Sequence, residues 1–371
     1  MSQQTMFMIS EKTYSPDWIR SFKKQSQYRS VNPALFEKFI YAFSLIEALA
    51  NSGLKFIFRG GTSMYLLPVE VNRFSIDVDI ITSVGKQELY GKLSEIVKTS
   101  VFTNFQEDES RAATGGIPKA HYIFEYSATM NPEGTILLDV LFDENPYVST
   151  VEAAIKNKWI DTEEPYTGVS VPSVNSILGD KLTAFAPTTI GIPFSTGNPD
   201  QPDKRIEIIK QLYDISILID HCTDIGETMS AFQKVAERQI GYSGKTLAID
   251  DVIDDIFNTG LILAKRERNN EEPEKSYFAE LQDGLKKFSG FLITGAFRIE
   301  EAIASSAKAA YFMEQFRHNP LKPPEQYTDT SDIADWSIDN TEYNFLNRFK
   351  RTNKPAFFCW YRCLKLKNLL R

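Results

Sequence analysis

The stretch FRGGTSMYLLPVEVNRFSIDVDIIT, from Phe58 to Thr82, decides how this chain is read. It sets a glycine pair, Gly60 and Gly61, before a Thr-Ser pair, Thr62 and Ser63, and then places Asp77 and Asp79 on either side of Val78. In RFSIDVDIIT the apolar and polar residues alternate. The alternation predicts a strand with Phe74, Ile76, Val78 and Ile80 on one face and Ser75, Asp77 and Asp79 on the other. Residues two apart on a strand share a face, so the two carboxylates repel unless a cation lies between them. Mg2+ (or Mn2+), which binds through a few carboxylates and completes its shell with phosphate oxygens, meets that need. The alternative is a solvent-facing edge strand carrying two acids.

The segment before the aspartates fits the same chemistry. LKFIFRGG reads as a short buried strand ending in the glycines, and TSMYLLP as the opening of a helix stopped by Pro68. Glycines let backbone N–H groups approach a phosphate, and a helix start favours negative charge; a tight connection would use the same residues. A third acid is expected from a neighbouring strand. Asp139, inside ILLDVLF, supplies it, because an acid among Ile136, Leu137, Leu138, Val140 and Leu141 needs a partner. That partner is either a metal ion or a salt bridge. Three carboxylates can hold ions that carry a nucleotide's phosphates and flank attack on the α-phosphate.

Further out, NPALFEKFIYAFSLIEALANSG and KQELYGKLSEIVKTS have helical periodicity, while AHYIFEYSAT and TILLDVLFD are strand-like and joined by an NPEG turn. From SVNSILGDKLTAFA onward the pattern is almost wholly helical, with Ser173 or Asn175 as candidate cap. A long Gly/Pro/Thr-rich loop separates that helix from RIEIIKQLYDISILIDHC. The reading is α+β: a mixed sheet with flanking helices over residues 1–170, then a mainly helical domain over 171–371 that completes the active-site cleft. The length of 371 residues accommodates two domains, and 42% apolar residues suffice for full cores. The net charge of −8 argues against a nucleic-acid affinity spread over the whole surface. Three cysteines, Cys222, Cys359 and Cys363, do not make a disulfide framework and read as core thiols of a cytoplasmic protein. No signal peptide and no membrane span are expected.

Taken together, FRGGTSMYLL…RFSIDVDI resembles the AbiEii/AbiGii toxin family of nucleotidyltransferase-like proteins, from bacterial abortive-infection and toxin–antitoxin systems. The resemblance runs from about residue 36 to residue 220. It implies a nucleotidyltransferase-like fold and a metal-dependent transfer of NMP from an NTP, releasing pyrophosphate. By the same resemblance Asp77, Asp79 and Asp139 would be catalytic metal ligands, and Arg59, Gly60, Gly61, Thr62, Ser63, Arg73 and Ser75 would line the nucleotide. Lys181, in SILGDKLTAF, would reach the triphosphate and stabilise the leaving pyrophosphate. Asp214, in KQLYDISIL, would act as base, orienter or partner of Lys181; its plainer reading is a helix-face acid paired with Lys210. The family often carries Lys where this chain has Arg59, which keeps the charge and changes its geometry.

The resemblance further implies a toxin of phage defence with a cognate antitoxin, acting on tRNA or on a protein. The C-terminal NRFKRTNKPAFFCWYRCLKLKNLLR interleaves Arg348, Lys350, Arg351, Lys354, Arg362, Lys365, Lys367 and Arg371 with Phe349, Phe357, Phe358, Trp360 and Tyr361. Such a segment either holds a tRNA acceptor or is a terminal helix packing its rings into the core. Two other functions stay open: a nucleotidyltransferase for small molecules of the antibiotic type, and a non-catalytic nucleotide-binding protein.

Overall fold

The computed structural model describes residues 7–29, 31–109, 117–130, 134–195 and 204–370. The chain divides into two compact units, residues 1–173 with 290–295, and residues 174–289 with 296–371.

The first unit holds seven described strands: β1 (Ile57–Arg59), β2 (Val78–Thr82), β3 (Phe102–Glu107), β4 (Lys119–Tyr126), β5 (Gly134–Phe142), β6 (Thr150–Ala154) and β7 (Gly168–Pro172). Its described helices are α1 (Pro16–Lys23), α2 (Pro33–Asn51), α3 (Gly60–Ser63) and α4 (Lys86–Thr99). Five strands form one mixed sheet in the order β1-β2-β5-β4-β3. Only the β2–β5 pair is parallel, and α4, β3 and β4 lie in the crossover between them, as a parallel connection requires. β6 and β7 make a separate antiparallel pair. The α+β mixed sheet expected from the sequence is present, and the turn expected at NPEG lies largely outside the described residues.

Alternation divides the sheet into two faces. Val78 and Ile80 on β2, Ala120, Tyr122 and Phe124 on β4, and Ile136, Leu138 and Val140 on β5 are buried. The residues between them in sequence, including Asp79, His121 and Asp139, are half-buried. α2 contacts both central strands and is apolar nearly all round, with Phe36, Phe39, Ile40, Phe43, Leu45 and Ile46 inaccessible; such a helix belongs inside a core. Asn32 caps it through Oδ1, which accepts from the Ala34 and Leu35 N–H groups. Phe36, Phe74 and Trp159 then join in a ring cluster with centroids 5.5–5.8 Å apart.

The second unit is helical: α5 (Val174–Ala184), α6 (Arg205–Asp220), α7 (Ile225–Ser243), α8 (Ile249–Lys265), α9 (Glu274–Phe288), α10 (Ile299–Phe316), α11 (Phe349–Thr352) and α12 (Lys354–Leu366). α10 contacts α6, α8 and α12. α5 starts immediately after Ser173, and Asn175 sits inside the helix. Its Oδ1 accepts from the N–H groups of Thr223 and Asp224, tying α5 to the start of α7.

Two departures from the helical expectation stand out. YFAELQDGLKKFSGFLITGAFRIEEAIASS is broken after Phe288, and its Gly290–Gly295 piece belongs to the first unit. There the Phe291 carbonyl accepts from Phe74 N–H at 2.8 Å, and Ile293 N–H donates to Asn72 O at 2.9 Å. Residues 317–343 also contain no helix. Pro320, Pro323 and Pro324 account for the first part of this stretch, since each lacks an N–H and disfavours helix at the residue before it. Among the described residues no helix is long and apolar enough to cross a membrane.

Candidate active site

β1 ends at Arg59, and the chain turns at once into α3. Gly60 takes φ +78°, a conformation that side chains with a Cβ rarely adopt. A Cβ there would lie 2.3 Å from Asp79 Oδ2. Gly61 has ordinary φ and a different reason to be glycine: a Cβ on it would meet Arg73 Nη2 at 2.4 Å and Ser75 Oγ at 2.8 Å. The glycine pair is therefore pressed against Asp79, Arg73 and Ser75, so the two ends of the opening stretch meet in space.

The helix beginning at Gly60 is shorter than expected. It runs four residues and continues as a 3-10 turn over Met64–Leu66, so its dipole is slight. Thr62 Oγ1 donates to Asp77 O at 2.7 Å, and Ser63 Oγ donates to Gly60 O at 2.9 Å. Both residues are inaccessible. Arg73 is 1% exposed; its Nη1 donates to Phe74 O, and the Tyr65 hydroxyl donates to its carbonyl. Ser75 is buried as well. Thr62, Ser63, Arg73 and Ser75, which the sequence reading set along the nucleotide, are buried around the glycine turn and brace it. Regular strand geometry begins only at Val78, so Phe74 and Ser75 are buried together rather than alternating.

Register lines up the charged groups. Arg59 pairs with Asp79 across β1–β2, Asp79 with Asp139 across β2–β5, and Asp139 with His121 across β5–β4. Cross-strand partners point to the same side of a sheet at a spacing of roughly 5 Å. The result is a transverse row of Arg59, Asp79, Asp139 and His121, all half-buried, on the face opposite α2. Asp77, also half-buried, lies one alternation before Asp79. His121 Nδ1 stands 2.7 Å from Asp139 Oδ1. Asp139 thus has a hydrogen-bond partner on one oxygen. His121 was not among the residues singled out from sequence. Its only local signal is a polar residue alternating with Ala120 and Tyr122 in KAHYIFEY.

Lys181 and Asp214 lie in the second unit, on α5 and α6. Lys181 Nζ is 2.7 Å from Asp214 Oδ2 and 3.1 Å from Gln211 Oε1. Lys181 is 5% exposed and Asp214 is inaccessible. Lys210, offered as a partner for Asp214 in the plainer reading, bonds Glu207 at 2.8 Å.

Carboxylates with no thiol nearby suit a hard cation such as Mg2+. Among the described residues no three His, Cys, Asp or Glu side chains form a preformed metal cluster. Mg2+ does not require one: it is commonly held by one or two carboxylates with the remaining ligands from water and substrate phosphate. Asp79 and Asp139, register partners on adjacent strands, fit that mode.

The C-terminal segment is a core element. Phe349, Phe357, Phe358 and Trp360 are buried, and Tyr361 stacks on Trp336 at 4.5 Å. Arg362 pairs with Glu325, Lys367 with Asp254 and Glu314, and Lys350 donates to the Ala334 and Trp336 carbonyls. The rings thus follow the second of the two readings of this segment, a terminal helix packed into the core. Cys222, Cys359 and Cys363 are buried free thiols.

A family model described as nucleotidyl transferase AbiEii toxin, type IV toxin–antitoxin system, matches residues 45–293. Two solved structures are similar. MenT4, a nucleotidyltransferase toxin from Mycobacterium tuberculosis, is 12% identical at a TM-score of 0.41, covering 77% of this chain and 97% of its own. An antigenic nucleotidyltransferase-like protein from Paracoccidioides brasiliensis is 14% identical at 0.34, covering 56% and 91%. No curated protein matches the sequence.

Proposed function

The chain belongs to the AbiEii nucleotidyl transferase toxin family, and with that enzyme class as premise we propose that it moves NMP from an NTP to a hydroxyl of tRNA or of a protein. The observation that carries this reading is the row of Arg59, Asp79, Asp139 and His121 with the glycine turn pressed against Asp79. In the reaction the acceptor oxygen bonds to the α-phosphorus as its hydroxyl proton passes to solvent. The bond from the α-phosphorus to the bridging oxygen breaks, and pyrophosphate leaves. A divalent ion held by Asp79 and Asp139, with Asp77 alongside, would polarise the phosphate and lower the cost of charge on the attacking and leaving oxygens.

The chain's own groups do the rest. Arg59, at the cationic end of the row, offsets the carboxylates and the incoming phosphates. Gly60 and Gly61 allow the turn to approach Asp79, while Thr62, Arg73 and Ser75 hold the turn rigid. Lys181 is assigned a triphosphate contact, with Asp214 fixing its ammonium. A cognate antitoxin as partner, a role in phage defence and a cytoplasmic site of action belong to the same proposal.

The test uses each α-labelled NTP with Mg2+ and total bacterial RNA and protein, beside the Asp77→Ala/Asp79→Ala variant. Label in a tRNA-sized or protein band, absent with the variant, is expected. Label confined to small molecules would replace the acceptor class, and no label with any NTP would overturn the reading.

A further inference from the structure

We propose that His121 is a positioning residue that fixes the carboxylate of Asp139 for the reaction; this rests on the proposed role of Asp139 as a nucleotide-side metal ligand. Asp139 faces a like charge, since its register partner on β2 is Asp79. Left alone, two neighbouring carboxylates rotate apart or share a proton. On its other side Asp139 has His121 as register partner, with Nδ1 2.7 Å from Oδ1. That contact secures one oxygen of the carboxylate. The imidazole side chain is 13% exposed and the carboxylate 26%. The donor is thus more sheltered than the acid it holds, as suits an outer partner of a ligating carboxylate.

Orienting Asp139 requires that Nδ1 carry the proton, because a carboxylate accepts and does not donate. With three histidines in the chain, the ring nitrogens can be assigned by 15N NMR on labelled protein without metal or nucleotide. A protonated Nδ1 on His121 is expected; an Nδ1 without a proton overturns the proposal whatever the role of Asp139.

The second readout is Mn2+ affinity with a non-hydrolysable NTP, measured by calorimetry on the full chain. His121→Leu removes the donor and should weaken Mn2+ about 10- to 100-fold. His121→Asn restores an N–H near the position of Nδ1 and should recover most of that loss. Asp139→Asn should weaken Mn2+ at least as much, and the His121→Leu/Asp139→Asn double variant should be no worse than Asp139→Asn alone, because one residue acts through the other. Additive losses, or wild-type Mn2+ affinity in a folded His121→Leu protein while Asp139→Asn is impaired, would overturn the positioning role. Wild-type affinity in Asp139→Asn would instead remove the metal-ligand reading and this role with it.

Discussion

Replacing Gly60 with alanine separates the two demands placed on that residue. One is conformational: at φ +78° an alanine costs about 1–2 kcal/mol. The other is spatial. The new Cβ would stand 2.3 Å from Asp79 Oδ2, whereas ordinary contact begins at 3.4 Å. The carboxylate oxygen must withdraw by about 1 Å, a displacement that costs roughly 100-fold in rate when it affects a reacting geometry, or about 2.7 kcal/mol of barrier. The clashing atom is the end of a side chain, so folding loses little beyond the conformational term. Gly53→Ala is the internal control, since Gly53 has φ +73° and nothing within 4 Å of its Cβ position. Both variants should lose a few degrees of Tm. Only Gly60→Ala should lose label transfer from α-labelled NTP, by about 100-fold. Equal activity in the two variants, whether retained or lost, would refute the argument that the glycine turn is spaced to the Asp79 carboxylate.

Other consequences can be checked in the same preparations. Asp214→Asn leaves Lys181 charged and buried, and should cost about 3–5 kcal/mol in urea unfolding; Lys181→Met/Asp214→Leu should cost less than that single change, and a larger loss in the double variant would contradict a mutually compensating pair. Burial pushes the Cys359 thiol up to about 12 and raises Cys363 and Cys222 as well. All three should resist iodoacetamide in the native protein and react after denaturation, and mass spectrometry showing fast native labelling of Cys359 would contradict this. Burial also raises Asp255 above its ordinary 3.8, although its carboxylate accepts from the Thr188 and Thr189 N–H groups. The protonated form is thus favoured by folding, so the contribution of Asp255 is full below 3.8 and is lost as pH rises through the raised value. The stability difference between wild type and Asp255→Asn should fall over that window, and a difference independent of pH would count against it.

Much of the site was legible because its signals are local. Asp77 and Asp79 flank one apolar residue, and Asp139 interrupts an apolar run; both patterns follow from a two-residue strand repeat that needs no knowledge of neighbours. Gly60 and Gly61 were also marked, and the structure adds a second demand on them, room for Asp79, Arg73 and Ser75. The basic, aromatic C-terminus left two readings open, because composition records rings and charges but not which face meets a core. Trp360 and Phe358 are buried there, and Arg362 and Lys367 are paired with acids distant in sequence.

The sequence by itself determined the periodic elements, the acids, the glycine turn and the change from mixed sheet to helices, since each depends on residues within one or two turns of chain. Tertiary structure alone decided that Asp139 would stand between Asp79 and His121, that Lys181 would meet Asp214, and that Gly290–Gly295 would join the first unit. A strand's own pattern fixes which face a side chain takes, but its partner is fixed by the register of another strand, and register is set by the packing of the whole sheet on its core.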